Sequence, residues 1–286
     1  MSIRRVTAAA GAALALAVAP AVAADLRPAP GVAIEDPCPS GRAGCVDRVI
    51  REMRTRLRPL LRGCHHDAVF ALVYLRVTEE YRRTLVADPD VFADPAYVNR
   101  EDAAFAAMYF SARDAHLAGR PAPPAWRVAF EASRTRSVTG VGDLLLAMNA
   151  HINRDLPFVL AALGLRRPDG TSRKSDHDAV NAILHRAYGP ALDEVAARLD
   201  PSIDDADLPT GIDDEVLFQL VVAWREAAWR NAQVLRAAPS GTARALVAAS
   251  IEAGAAATAR SIRLSTAYLP PLTSPAGRDA YCASAG

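Results

Sequence analysis

The sequence predicts an all-α fold, and three observations predict it. Apolar residues recur at steps of three and four along nearly every segment, as helices with one buried face require. No stretch alternates apolar with polar residues, and no pair of such stretches is joined by a hairpin turn. Neither a strand–helix–strand rhythm nor an internal repeat interrupts the pattern, so a single multi-helix domain, orthogonal or bundle-like, is expected. At 51% hydrophobic residues the chain has ample material for a core, which excludes whole-chain disorder.

The first 23 residues read as an export signal. Arg4 and Arg5 form its positive start, Val6 to Ala19 its apolar run, and Ala21-Val22-Ala23 its small-x-small cleavage site. That run is too short for a comfortable membrane span. A secreted, extracellular chain beginning at Ala24 is therefore expected, with no transmembrane segment after cleavage. Residues 24–45 form an extended lead-in marked by Pro28, Pro30 and Pro37, and residues 46–286 form the helical domain. Cys38, Cys45, Cys64 and Cys282 are an even set, which in an exported protein reads as two disulfides with three possible connectivities. The turn-rich residues between Cys38 and Cys45 let those two close locally, leaving Cys64 for Cys282.

Val46, Ile50, Met53, Leu57 and Leu60 mark the first helix, closed at Gly63. Phe70, Val73, Tyr74, Val77, Tyr81 and Leu85 mark the second, with Asp67 as its cap. Turn chemistry from Asp88 to Pro95 precedes a third helix after Asn99, with Phe105, Tyr109, Ala112 and His116 on one stripe. Pro121 to Pro124 ends it, and Trp126 with Phe130 marks a short amphipathic helix. Gly142 to Met148 is apolar nearly all round, which indicates a central, buried helix. Pro157 cannot continue that helix without losing a hydrogen bond, so a new one is expected from near Leu156 to Gly164. Further helices begin at Ser175 and at Gly189-Pro190, and an acidic loop runs from Asp200 to Asp214. Two long helices, about Glu215 to Leu235 and Thr242 to Ala267, end the chain. The small-residue stripe Ala243, Leu246, Val247, Ser250, Gly254, Ala257 and Ser261 on the last is expected to pack on another helix.

The charge balance excludes one class of function. With 33 basic and 32 acidic residues, no basic field exists to hold nucleic acid. Nucleophile elbows, phosphate-binding loops and dinucleotide fingerprints are absent from the sequence, and Asp204, Asp205, Asp207, Asp213 and Asp214 lack the spacing of a calcium loop. The anomaly is the polar crowd Asn149, His151, Asn153 and Asp155 at the end of an apolar helix. His151 and Asp155 are four apart and share a helix face, a spacing that suits one divalent ion. His177 and Asn181 repeat it, with Asp178 beside His177. Two such helices side by side would surround one point with two imidazoles and a carboxylate. A second reading stands beside this one: Asp155 as helix cap, His151 as a satisfied core histidine, and the asparagines as a helix-junction network.

The block Met148-Asn149-Ala150-His151-Ile152-Asn153-Arg154-Asp155-Leu156-Pro157 resembles the signature of an uncharacterised family of bacterial helical proteins, many of them secreted. Trp126 and Phe130, the Asp178/Asn181 pair and Arg225-Glu226 with Trp229 extend that resemblance, which implies a shared helical domain and no known activity. More distantly, His151/Asp155 and His177/Asn181 are similar in order and spacing to the zinc ligands of zinc-dependent phospholipase C and P1-type nucleases. Asn181 stands where those enzymes have a glutamate, and no histidine lies between Asp155 and His177, so a reduced one-ion site is what this likeness implies. The expectation is a secreted metal-dependent hydrolase acting on a phosphoester, lipid or other small-molecule substrate. One divalent ion, zinc first, would be held by His151, Asp155 and His177, with Asn153, Asp178 or Asn181 orienting a metal-activated water. The alternative is a noncatalytic structural or binding domain with a buried hydrogen-bond network.

Overall fold

The computed structural model describes residues 34–204 and 214–285. The expected export signal, the first ten residues of the expected lead-in, and Asp205, Asp207 and Asp213 of the acidic loop lie outside the described residues. Ten α-helices form among the described residues and no strand: α1 (Gly44–Arg62), α2 (Ala68–Ala87), α3 (Pro95–Leu117), α4 (Pro124–Arg134), α5 (Gly140–Asn149), α6 (Leu156–Leu163), α7 (Lys174–Arg198), α8 (Asp214–Ala237), α9 (Gly241–Ser265) and α10 (Ala276–Ala285). A π-helical turn, Ala150–Asp155, joins α5 to α6.

The central element is the run from α5 through the π turn to α6. It packs against α2, α3, α4, α8 and α9, which together enclose it. Leu144, Leu146, Leu156 and Leu160 are fully buried there, each contributing about 1.5–3 kcal/mol through removal from water. This is why the segment is apolar on every side. Pro157 does not break it. The Leu156 N–H donates to the His151 carbonyl, five residues back, and this wider register passes the proline without the steric conflict of a standard helix. Asp155 consequently caps nothing; its side chain is turned into the core. Gly164 ends α6 at φ +95°, a conformation that favours glycine.

Other boundaries move for identifiable reasons. The third helix starts at Pro95 rather than after Asn99, because the Asp94 carboxylate accepts the Tyr97 N–H at 3.0 Å and proline suits the first helical turn. Asp67 makes no cap hydrogen bond; it faces Arg113 at 3.9 Å instead. Pro190 starts no new helix, since α7 runs through it. Tyr188, Ala191, Leu192 and Val195 are buried on its inner face, and that burial offsets the missing hydrogen bond. The buried face of α9 is Ala248, Ile251, Ala255 and Ala259. The expected stripe is rotated outward: Leu246 is 60% exposed, and Ser250, Gly254, Ala257 and Ser261 are exposed as well. Small residues lie all round this helix, so their spacing alone does not select the packed face.

The start of α9 carries a simple cap: the Ser240 hydroxyl accepts the Ala243 N–H at 3.1 Å. Ser240→Ala is expected to lower stability by about 1 kcal/mol in urea unfolding, and an unchanged midpoint would show the cap to be idle.

Both expected disulfides form, Cys38–Cys45 and Cys64–Cys282, with Cα separations of 5.7 and 5.9 Å. The second fastens α10, a helix not foreseen from the sequence. Arg278 of α10 is buried and donates to Asp143 at 2.6 Å, with Asp200 at 3.4 Å. His66 sits between, with Nδ1 3.2 Å from Asp143 and Nε2 3.1 Å from Asp279. Burial holds the Asp143 carboxyl above its usual range despite His66 and Arg278.

Candidate functional site

Five elements (α2, α3, the α5–π junction, α7 and α8) converge on a cavity of about 110 Å³. Most of its wall is aliphatic or aromatic, including Val77, Phe105, Ile183 and Val221. Set into that wall are His151, Glu101, Asp102, Tyr74 and Arg225.

The π turn places His151. Its ring is buried and stacks on Phe105 at 3.4 Å, nearly parallel, with Tyr74 edge-on at 4.7 Å. Nδ1 lies 3.3 Å from Asp155 Oδ2 and donates its proton there. Asp155 is itself fixed by two further donors: Trp126 Nε1 at 2.8 Å and Arg154 Nη1 at 2.7 Å. Arg154 in turn holds Glu252 of α9 at 2.6 Å. These contacts select the tautomer with the lone pair on Nε2, and Nε2 has no partner. Burial holds the imidazole below its usual pKa, with Asp155 opposing. It is therefore a neutral base at pH 7.

Two carboxyls on α3 have the opposite character. Burial raises both Glu101 and Asp102 to about 7, with Asp102 raised further by Glu101 beside it. Asp102 Oδ2 and the Tyr74 hydroxyl are buried and unpartnered, as Nε2 is. Burial also pushes the Tyr74 phenol well above its usual range, so it remains a donor.

The sequence-selected residues separate into two groups. His151 and Asp155 meet, but His177 does not join them. Its Nε2 is 3.2 Å from the Arg225 carbonyl, its Nδ1 3.4 Å from the Arg225 guanidinium, and its ring packs on Trp229. Asn181 accepts from Arg225 Nε at 2.8 Å and so orients that arginine. Asp178 is turned outward, with 49% of its side chain exposed, and pairs with Lys174. Asn153 donates to Asn149, which donates to the Ala255 carbonyl; this pair ties the helix junction to α9. The three-ligand set His151, Asp155 and His177 does not assemble, and among the described residues no group of three or more His, Cys, Asp or Glu is placed to hold a metal. The physical reason is local: three donors already occupy the Asp155 oxygens, and Arg225 takes up His177.

Sequence reasoning passed over Glu101, Asp102 and Tyr74 as site residues, and gave Arg225 as part of the family resemblance. A signal was present. Asp102, Phe105 and Tyr109 fall at helical steps, as do Val221, Arg225 and Trp229, which puts a charge on each apolar stripe. Charges in such positions are rare in a core unless something pairs with them.

No curated protein and no solved structure matches the chain. A family model described as a family of unknown function, DUF5995, matches residues 46–265. The chain belongs to that family.

Proposed function

We propose that the protein is an exported, metal-independent hydrolase of small, largely apolar substrates, with His151 as its general base. The observation that carries this is the unpartnered Nε2 of a buried imidazole whose other nitrogen is locked by a carboxylate. In this reading Nε2 takes a proton from a water as its oxygen attacks the substrate, and the bond to the leaving group breaks. The leaving group is protonated by Asp102 or Glu101, the two carboxyls that stay protonated up to about pH 7. Asp155 is a positioning residue, acting through His151. Export is supported by two disulfides, and no helix among the described residues is long and apolar enough to cross a membrane. The likeness to zinc-dependent phospholipase C reduces here to the His151–Asp155 pair, and the oxygens of Asp155 are already filled, so no zinc step is built on it.

The noncatalytic alternative accounts well for Asn149, Asn153, Asn181 and His177, all of which are paired. It leaves Nε2, Tyr74 Oη and Asp102 Oδ2 without partners, a cost that binding of a polar ligand would relieve.

The test is hydrolysis of short-chain esters such as ethyl butyrate by chelator-treated protein. His151→Gln is expected to remove at least about 100-fold of the rate, the usual contribution of a general base. The rate should be bell-shaped in pH. It rises as His151 loses its proton below the usual histidine range, and falls above about 7 as Glu101 and Asp102 ionise. Activity that is lost with chelator, or unchanged in His151→Gln, would overturn the reading.

A further inference from the structure

Arg225 is only 5% exposed, yet it forms no ion pair among the described residues. Its guanidinium is held by neutral groups. Nε donates to Asn181 Oδ1 at 2.8 Å and Nη2 to the His177 carbonyl at 2.6 Å, with His177 Nδ1 at 3.4 Å. Nη1 makes no hydrogen bond among the described residues. Opposite in charge, and on the wall of the same cavity, is Glu101, 7% exposed, whose carboxyl likewise has neither hydrogen bond nor ion pair among those residues. Two buried ionisable groups are thus presented to a void without being spent on each other. Burying a guanidinium without an anion is costly, and a fold that needed the pair only for stability would close it into a salt bridge.

We infer that Arg225 and Glu101 form a subsite for the carboxylate of a short-chain monocarboxylic acid, whose apolar chain occupies the rest of the cavity. Asn181 and the His177 carbonyl hold Nε and Nη2 from behind, leaving the Nη1 amino group to donate to the ligand carboxylate. Glu101, when protonated, donates its O–H to the same carboxylate. Elsewhere on the wall Val77, Ile183, Leu184 and Val221 offer the chain apolar contact. Size sets the class: a cavity of about 150 Å³ holds benzene, so the 110 Å³ here takes a chain of about three to five carbons. A lipid tail does not fit. The inference rests on the hydrolase reading only in sharing its cavity, and names the acid that such a hydrolysis would release.

A pH dependence follows from the charges around Glu101. Arg225 faces it from α8, Asp176 from α7 and Tyr81 from α2, with Tyr97 and Asp102 on its own helix. Burial and Asp176 outweigh Arg225, placing the carboxyl at about 7. Binding a carboxylate beside it requires that proton, so one proton is taken up per ligand above pH 7, and affinity falls about tenfold per pH unit there.

Calorimetric titration of the oxidised full chain with butyrate, and with butyramide as the uncharged isostere, tests this. Saturable butyrate binding at pH 6.5 is expected, at least tenfold tighter than butyramide, and weakened at least tenfold by Arg225→Gln. Because that variant also disturbs His177 and Asn181, Glu101→Gln provides a second arm, expected to keep butyrate binding while removing its loss above pH 7. Equal binding of butyrate and butyramide, no saturable heat with butyrate, or an affinity independent of pH in the wild-type chain would each overturn the subsite. Ester hydrolysis that depends on His151 but occurs without butyrate binding would sink this inference alone. Butyrate binding without any such hydrolysis would sink the hydrolase reading alone.

Discussion

Asp155→Ala is expected to destabilise the protein by about 3–5 kcal/mol, measured by urea unfolding with the disulfides intact. The carboxylate is wholly buried and receives Trp126 Nε1, Arg154 Nη1 and His151 Nδ1. Removing it strands three donors at once, one of them a buried guanidinium left with Glu252 alone. Asp155→Asn keeps the shape and one acceptor oxygen, and is expected to lose less. The neutral amide also ceases to enforce the His151 tautomer, so nitrogen NMR of the ring should show a mixture of tautomers in place of one. A loss below about 1 kcal/mol for the alanine variant would mean that the network is not what holds α4 against the π turn.

Arg278→Met is expected to have a comparable effect, about 3–5 kcal/mol, through a different mechanism. Here two buried carboxylates, Asp143 and Asp200, lose the cation between them, and His66 is the basic group left beside Asp143. The size of the deficit should depend on pH. The folded-state pKa of Asp143 is already raised by burial and would rise further without Arg278. A raised carboxyl pKa means that the folded state holds the proton more tightly than the unfolded chain does. Stability from that source is complete below the unfolded value and is lost as pH climbs through the folded one. The variant should therefore be closest to wild type near pH 4 and furthest from it near pH 8. A deficit that is flat with pH would place the effect in packing of the arginine stem.

Helix content and the disulfide pairs were legible because they depend on local rules: apolar periodicity, turn residues and cysteine spacing. The failures share one cause. Pro157 and Pro190 read as breaks because a proline's cost is local, whereas the burial that overrides it, at Leu156 and Leu160 or at Tyr188 and Leu192, comes from distant helices. The polar crowd at His151 was correctly singled out as anomalous. The placing of His177 beside it was not legible, because helical spacing brings His151 to Asp155 but says nothing about how α7 is rotated against the π turn. That rotation gives His177 to Arg225. Glu101 and Asp102 stayed unnoticed because acidic residues on a helix are ordinarily solvated; the place of Asp102 on the Phe105/Tyr109 stripe was the one local sign against that.

The Cys64–Cys282 link has a topological consequence. It spans a sequence separation of 218 residues and so makes nearly all the helices part of one covalent ring, with only α1 and its lead-in hanging outside. A protease that cuts once in the connection between α6 and α7 opens this ring without releasing a fragment. In the oxidising surroundings proposed for it, the protein would survive a single nick with its cavity walls still tethered to one another.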